Sequence, residues 1–522
     1  MSSRSIRRLL PIGTVLASLV ALPALFARPW ADERFVMYMP ESLVGGNPLL
    51  LWDQVMREVT AFIDVGVFRP LSRLGFYLEH WLVVRLGVMI GVAPNIVMSV
   101  VKIAMIALVL LTGLLTVSQY RRVSAAGPVW QRATMLLPII FAGSLVLVNP
   151  AVHPLTLFPG LYLGTASIAL LTPVWLGWIV LKGTRAEGRR LWLLYGSVAL
   201  WGAALASMIE LAWLGIPLAL LHVVMLHGLR DGWGWRDLWN RSGVRMWMAL
   251  AAGFAALFLP TRFFIAYYCS SGGCYGAAEP QAGLDFVLLI PFRIGSAFAP
   301  VGLIAQFRGV LRLMTRPSSA LLIAAGVGLL AMAVLIWGLR TADRQNAFGA
   351  GSMTAAIRDV APLAIFYGTV ILLASVISAI SSGLQEKGFN PVPWRETGFG
   401  WIAWAVLLSL GLAVLLERIS SRVWLVIGVV LVGLTFVAST VINREDMRRV
   451  GIDEEGMLHI QAGQQLVDFE ATENVARCAT VDGLREVAGS DSELRKANLV
   501  AVYLDAAAMN HYGVAFCDSG SS

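Results

Sequence analysis

Long apolar runs dominate the chain, each near the ~20 residues a helix needs to cross a bilayer. Eleven are read as membrane spans: 9–27, 95–117, 133–148, 161–181, 191–208, 211–226, 246–265, 320–339, 363–380, 401–416 and 423–442. Their connections differ in character. Those at 119–122, 182–190 and 230–245 are short and rich in arginine, as cytoplasmic loops are. This runs the first span from a cytoplasmic RSIRR to an outer loop, 28–94. The first run also resembles a signal peptide with ALFA at a cleavage-like position, but its length favours a retained helix.

Loop 28–94 is too polar to cross the membrane and too apolar for a plain linker. Segments 48–65 and 71–88 set Asp53, Arg57, Glu58 and Asp64, then Arg73, Glu79, His80 and Arg85, among aromatic and aliphatic residues. Interfacial helices lying along the membrane surface are expected there. A second outer segment, 267–314, has an apolar middle expected as a re-entrant or interfacial helix. Beyond 442 the pattern turns polar and mixed. There 499–504 reads as a strand and 491–497 as a helix, so a small α/β module is expected on the outer side. The expected fold is an α-helical polytopic membrane protein with about eleven transmembrane helices. Its transmembrane domain covers 1–442 and its extracytoplasmic C-terminal domain 443–522.

Composition agrees. Of 522 residues, 57% are hydrophobic and 14% charged, against about 25% charged in soluble domains. The net charge of +8 sits mostly in short loops, so it reports orientation and not affinity for nucleic acid. No P-loop, and no GxGxxG after a strand, occurs. All four cysteines fall outside on this topology, where disulfides form. The local pairs Cys269 with Cys274 and Cys478 with Cys517 are expected, other pairings staying open. No CxxC spacing or close histidine pair supports zinc.

Chemistry is expected in the first outer loop. Asp32 and Glu33 follow the outer end of span one, where a carboxylate can serve as general base toward a sugar hydroxyl. They can equally end a helix and pair with Arg28 or Arg34. Arg69 precedes Pro70, which biases its backbone to extended conformations and displays its side chain from a turn. A guanidinium there can grip a lipid phosphate through two parallel hydrogen bonds, or simply reach the headgroups. Arg293, Lys387 and Arg395 are further phosphate-binding candidates, and Asp64 and His153 candidate contacts for a sugar or acceptor. For His153 the alternative is a locally bonded turn histidine. Glu210, between spans five and six, reads as a solvated cap.

An acidic pair opening a large outer loop, then a G-x-[FY]-R-P-L-like segment ahead of an amphipathic stretch, resembles the GT-C superfamily of integral-membrane glycosyltransferases. Asp32-Glu33-Arg34-Phe35 and Gly66-Val67-Phe68-Arg69-Pro70-Leu71 carry the resemblance, which covers about the first 90 residues and the general topology. It implies a polyprenyl-phosphate-linked sugar as donor and an outer glycan, lipid or protein as acceptor. A hexosyl or pentosyl group would pass directly, usually with inversion. Asp32 would be the base with Glu33 as substitute, and Arg69 would contact the donor phosphate. Some members use a divalent cation (Mg or Mn) and others none; no dense carboxylate cluster decides it here. The tail would be an accessory domain. In proportion it is similar to that of bacterial glucosyltransferases that decorate O-antigen. The absence of organelle-targeting signals and the alanine- and arginine-rich character agree with a bacterial plasma (inner) membrane as the expected location. The competing classes are a transporter or flippase for a lipid-linked sugar and a noncatalytic envelope-assembly partner.

Overall fold

The structure, a computed structural model, describes residues 3–27, 32–45, 47–64, 66–124, 127–147, 153–182, 188–232, 242–269, 282–296, 319–343, 353–381, 395–418, 422–450 and 454–518, with single positions 298, 301 and 385. The chain begins with α1 (Ser3–Val20), a short turn Leu22–Leu25, and α2 (Asp32–Val36) and α3 (Met39–Val44). The loop helices follow as α4 (Leu49–Asp64) and α5 (Pro70–Ile90). Both expected interfacial segments are therefore helices. Then come α6 (Pro94–Val123), α7 (Pro128–Gly143), α8 (Pro159–Lys182), α9 (Arg189–Ala206), α10 (Gly215–Asp231) and α11 (Ser242–Cys269). The apolar middle of the second outer segment is α12 (Leu284–Ser296), and α13 (Ser319–Asp343), α14 (Met353–Ala379), α15 (Thr397–Arg418) and α16 (Arg422–Val450) complete the bundle.

Proline opens α5, α6 and α7, where its missing N–H costs nothing. Gly91, at φ 69°, closes α5 in the left-handed region and lets α6 start three residues later. Among the described residues, eight helices are long and apolar enough to cross a membrane. They lie in α6, α8, α10 with its preceding turn, α11, α13, α14, α15 and α16. The other three expected spans are helical too. They are α1, α7 and α9, at 18, 16 and 18 residues. They join the same apolar core, α1 packing on α6 and α7. The chain is thus an α-helical, multi-pass membrane-embedded protein.

The tail corrects an expectation. It is α17 (Glu454–Val467), α18 (Asn474–Glu486) and α19 (Asp491–Tyr512), and no strand occurs among the described residues. The segment 499–504 lies inside α19. Val500, Ala501, Leu504, Ala507 and Ala508 are its buried positions, which is the helical spacing i, i+1, i+4, i+7, i+8. Its start is written as S-x-x-E. Ser490 Oγ accepts from the Glu493 amide at 3.3 Å, and Glu493 Oε2 from the Gly489 amide at 2.9 Å. Cys478 and Cys517 form the expected disulfide, closing α18 onto the chain after α19. Cys269 is not a free thiol; Cys274 lies outside the described residues.

The tail docks on the first loop, so the two share one face. Arg34 pairs with Glu455. Tyr38 Oη donates to the His459 carbonyl at 3.2 Å, and Asn510 Nδ2 to the Glu41 carbonyl at 2.8 Å. The buried Glu41 carboxylate sits between Arg85 (3.4 Å) and His511 (3.2 Å). A second apolar core, which includes Met37, Tyr38, Val84, Leu466 and Leu504, fills the junction.

Candidate functional site

Two charged clusters lie on the loop-one face, and the first turn of α8 touches both. The first is basic. Arg69, with φ −152° and ψ 54°, is the residue before α5; it lies outside the helical region that its following proline disfavours, without being fully extended. The start of α5 is pinned to the turn after α9: the Leu71 amide donates to the Ser207 carbonyl at 3.1 Å, and the Ile209 amide to Ser72 Oγ at 2.9 Å. That fastening sets Arg69 facing Glu210, with Arg395, Arg73 and Tyr162 around it. Glu210 in turn faces Arg69, Arg395 and Arg262. It is therefore no solvated cap but, among the described residues, the one carboxylate among four arginines in this cluster. Burial holds the Arg69 guanidinium below its ordinary pKa, Glu210 opposing and Arg395 and Arg73 adding to the shift. It keeps its charge nonetheless.

Aromatic rings orient the other guanidiniums. Arg262 stacks on Trp213 at 4.7 Å and Phe258 at 5.4 Å, Arg73 on Phe62 at 4.2 Å, and Arg395 on Tyr162 at 5.6 Å. Held this way, the cations lose little entropy when an anion arrives. Arg69 and Arg395, 326 residues apart in sequence, were each expected to meet phosphate, and here they converge.

Arg293 does not join them. It is buried against Glu396 at 3.4 Å, whose Oε2 accepts from Ser378 Oγ at 3.0 Å. Burial raises the Glu396 pKa, and Arg293 opposes that shift. Since Glu396 follows Arg395 in the chain, this pair fixes the residue that displays Arg395. Arg293→Met leaves a buried carboxylate without its ion-pair partner, a loss of roughly 3–5 kcal/mol. Thermal unfolding of the purified protein should fall accordingly, and adding Glu396→Gln should recover most of it. Lys387 lies outside the described residues.

The second cluster is acidic with one lysine. Glu33 on α2 is 1% exposed, and its charged neighbour is Lys102 of α6. Glu79 of α5 faces both. Its Oε1 accepts from the Gly160 amide at 3.1 Å. A Cβ on Gly160 would lie 2.2 Å from Glu79 Oε2, so only glycine leaves this seat. Just before it, Phe158 stands at φ 52°, the one non-glycine residue with positive φ among those described. Such strain is retained where a turn must hold a set geometry. Its ring packs edge-on against Phe76 at 5.1 Å. Ten residues of α5 separate Arg69 from Glu79, about 15 Å along the helix.

Asp32 opens α2 and Asp64 ends α4; for both only the backbone is described. His153 is fully buried, not displayed in an open outer turn. Its Nδ1 accepts from the Leu155 amide at 3.2 Å and its ring lies 4.8 Å from Trp401. Burial pushes its pKa down to about 3, so it stays neutral. It is the locally bonded turn histidine, away from any open surface. Among the described residues no group of three histidine, cysteine or acidic side chains is placed to hold a metal ion. The arrangement can therefore bind an anion at one end and exchange a proton at the other. No family model, curated protein or solved structure matches the chain.

Proposed function

We propose that the chain is a membrane glycosyltransferase that moves a sugar from a polyprenyl-phosphate donor to an extracytoplasmic glycan, lipid or protein acceptor. The observation that carries this reading is the convergence of Arg69, Arg395 and Arg262 on the carboxylate of Glu210, with Arg73 beside Arg69. Fixed cations at the membrane surface suit a leaving lipid phosphate, whose charge grows as the glycosidic bond breaks. The acceptor oxygen attacks the anomeric carbon. The carbon–oxygen bond to phosphate breaks and its electron pair leaves with the phosphate. The hydroxyl proton goes to the Asp32–Glu33 pair, Asp32 first and Glu33 as substitute. Lys387 stays a further candidate for the phosphate and Asp64 for the sugar or acceptor, and a divalent cation would serve as it does in some members of the family the chain resembles.

The test is transfer of radiolabel from polyprenyl-phosphate sugars into envelope glycans, using Asp32→Asn and Glu33→Gln in membranes of matched expression. Loss of a base costs about 10²–10⁴ in rate, so one of the two variants should lose nearly all transfer. Normal transfer by both removes the acidic pair from the mechanism. The buried ionisable groups Glu33, Glu79 and Lys102 favour one second reading, a carrier of the lipid-linked sugar, since such groups also mark transport pathways. Labelled lipid crossing proteoliposomes without being consumed would select it.

A further inference from the structure

Lys102 is held at the end of the first span. Its Nζ donates to the Ala24 carbonyl at 3.2 Å, and Ser99, one turn earlier on α6, donates to the Leu25 carbonyl at 2.6 Å. These bonds fix the Lys102 Nζ in a place that is 2% exposed. Facing it are two carboxylates and, among the described residues, no further cation. Glu33 Oε1 and Glu79 Oε2 are both sealed from solvent and have no hydrogen-bond partner among the described residues. Two carboxylates and one ammonium leave a net charge of −1 in a water-poor junction, which is expensive. One added proton makes the group neutral.

The surrounding ionisable groups are engaged elsewhere. His80, also on α5, donates from Nδ1 to the Phe76 carbonyl at 3.0 Å and is neutral, burial lowering its pKa to about 4. Glu58 of α4 takes the Tyr77 hydroxyl at 2.8 Å, Glu41 of α3 lies by Arg85, and Tyr162 of α8 lies under Arg395. On α17, Glu455 pairs with Arg34 and lies 4.0 Å from His459.

We propose that Glu33 and Glu79 form, beside Lys102, a site for one exchangeable proton, the carboxylates sharing it so that one stays charged. Titration agrees with the charge count. Burial lifts Glu33 to about 7, Lys102 opposing, and lifts Glu79 to about 8, with the charge on Glu33 adding to the rise. On the transferase reading, and only on it, the charged member is where the proton of the acceptor hydroxyl can rest.

Infrared spectroscopy of the full chain in lipid nanodiscs reads the proton directly, without any transfer assay. The wild type should show a carboxylic-acid carbonyl band, sensitive to deuterium, that is lost as pH rises through the range of about 7 to 8. Glu33→Gln and Glu79→Gln each remove a like charge, so each should move the remaining midpoint down, by about one unit or more. Lys102→Met removes the opposing cation and should move it up. Gly160→Ala keeps every titrating group and only evicts the Glu79 carboxylate, a flexible end, so it folds and also moves the midpoint down. A wild type without a titrating band overturns the proposal, as do midpoints that stay put or shift with the opposite signs. If the wild type transfers no sugar but the band behaves as stated, the transferase reading fails and the proton site stands.

Discussion

Arg69→Ala combined with Arg395→Ala should abolish measurable sugar transfer, and each single change should lower kcat/KM by roughly 10²–10³, the usual cost of one preorganised group at a developing negative charge. The cluster is built before any ligand arrives. Arg69 is fixed by the hydrogen bonds that pin α5 to the Ser207–Ile209 turn, and Arg395 by the Tyr162 ring and the adjoining Arg293–Glu396 pair. Arg69→Lys restores the charge without the planar fork that holds a phosphate at two points. It should recover part of kcat/KM and little of the tolerance to salt. Arg57 is the control. It is exposed on α4, hydrogen-bonded at 3.2 Å to Gln54, and Arg57→Ala should leave transfer unchanged. Arg262→Ala should weaken transfer less than Arg69→Ala, because of the three cations that face Glu210 it is coupled to it least, and it leans on two rings. Steady-state rates with a purified lipid-linked donor decide the matter. A double variant that transfers at the wild-type rate removes the basic cluster from phosphate binding.

Hydropathy carried most of the architecture, because lipid forces every buried peptide group into a helix and makes the apolar run its signature. Each expected span has a helix, and the two loop segments were legible from their mixed faces. The tail was misread for a physical reason. Leu499 to Leu504 looks strand-like over six residues, and only the longer window, with Ala507 and Ala508 buried on the same face, shows the helical period. The S-x-x-E at 490–493 was the signal that could have corrected it. At the site, arginines were legible one at a time, since a guanidinium beside a proline at a membrane surface has few uses. What sequence spacing could not supply was the company they keep. Glu210 is meaningful only because α5 is fastened to its turn. Glu79 looks like one more polar position on an amphipathic helix until Gly160, 81 residues away, is seen to leave room for its carboxylate. His153 shows the converse error: a polar residue among prolines reads as exposed, and folding places it under Trp401.

Gly253→Leu should prevent the chain from folding into a monodisperse protein, with no ligand or charge involved. At this point α9 and α11 cross backbone to backbone. A Cβ on Gly253 would lie 1.8 Å from the Ala199 carbonyl oxygen, and one on Gly202 would lie 2.0 Å from that of Leu250. Neither obstacle is a side chain that can rotate away, so the helices must separate. Within a membrane, separation forfeits the close packing that holds them, and no hydrophobic force draws them back, since lipid tails cover the parted faces with equally apolar surface. Overpacking usually costs about 1–3 kcal/mol; a backbone clash at a crossing should exceed that. Gly196→Leu is the matched control, because Gly196, also on α9, has nothing within 4 Å of its Cβ position. Gly253→Ala is the informative intermediate. It should lower the thermal midpoint and also reduce transfer, because α11 carries Arg262 beside Glu210 one helix-end away from the crossing. Size-exclusion profiles and unfolding curves separate these outcomes. A Gly253→Ala protein with reduced stability but full transfer would mean that Arg262 keeps its place when α11 moves. The basic cluster would then be held by its aromatic seats alone, and the helix crossing would serve the fold without serving the site.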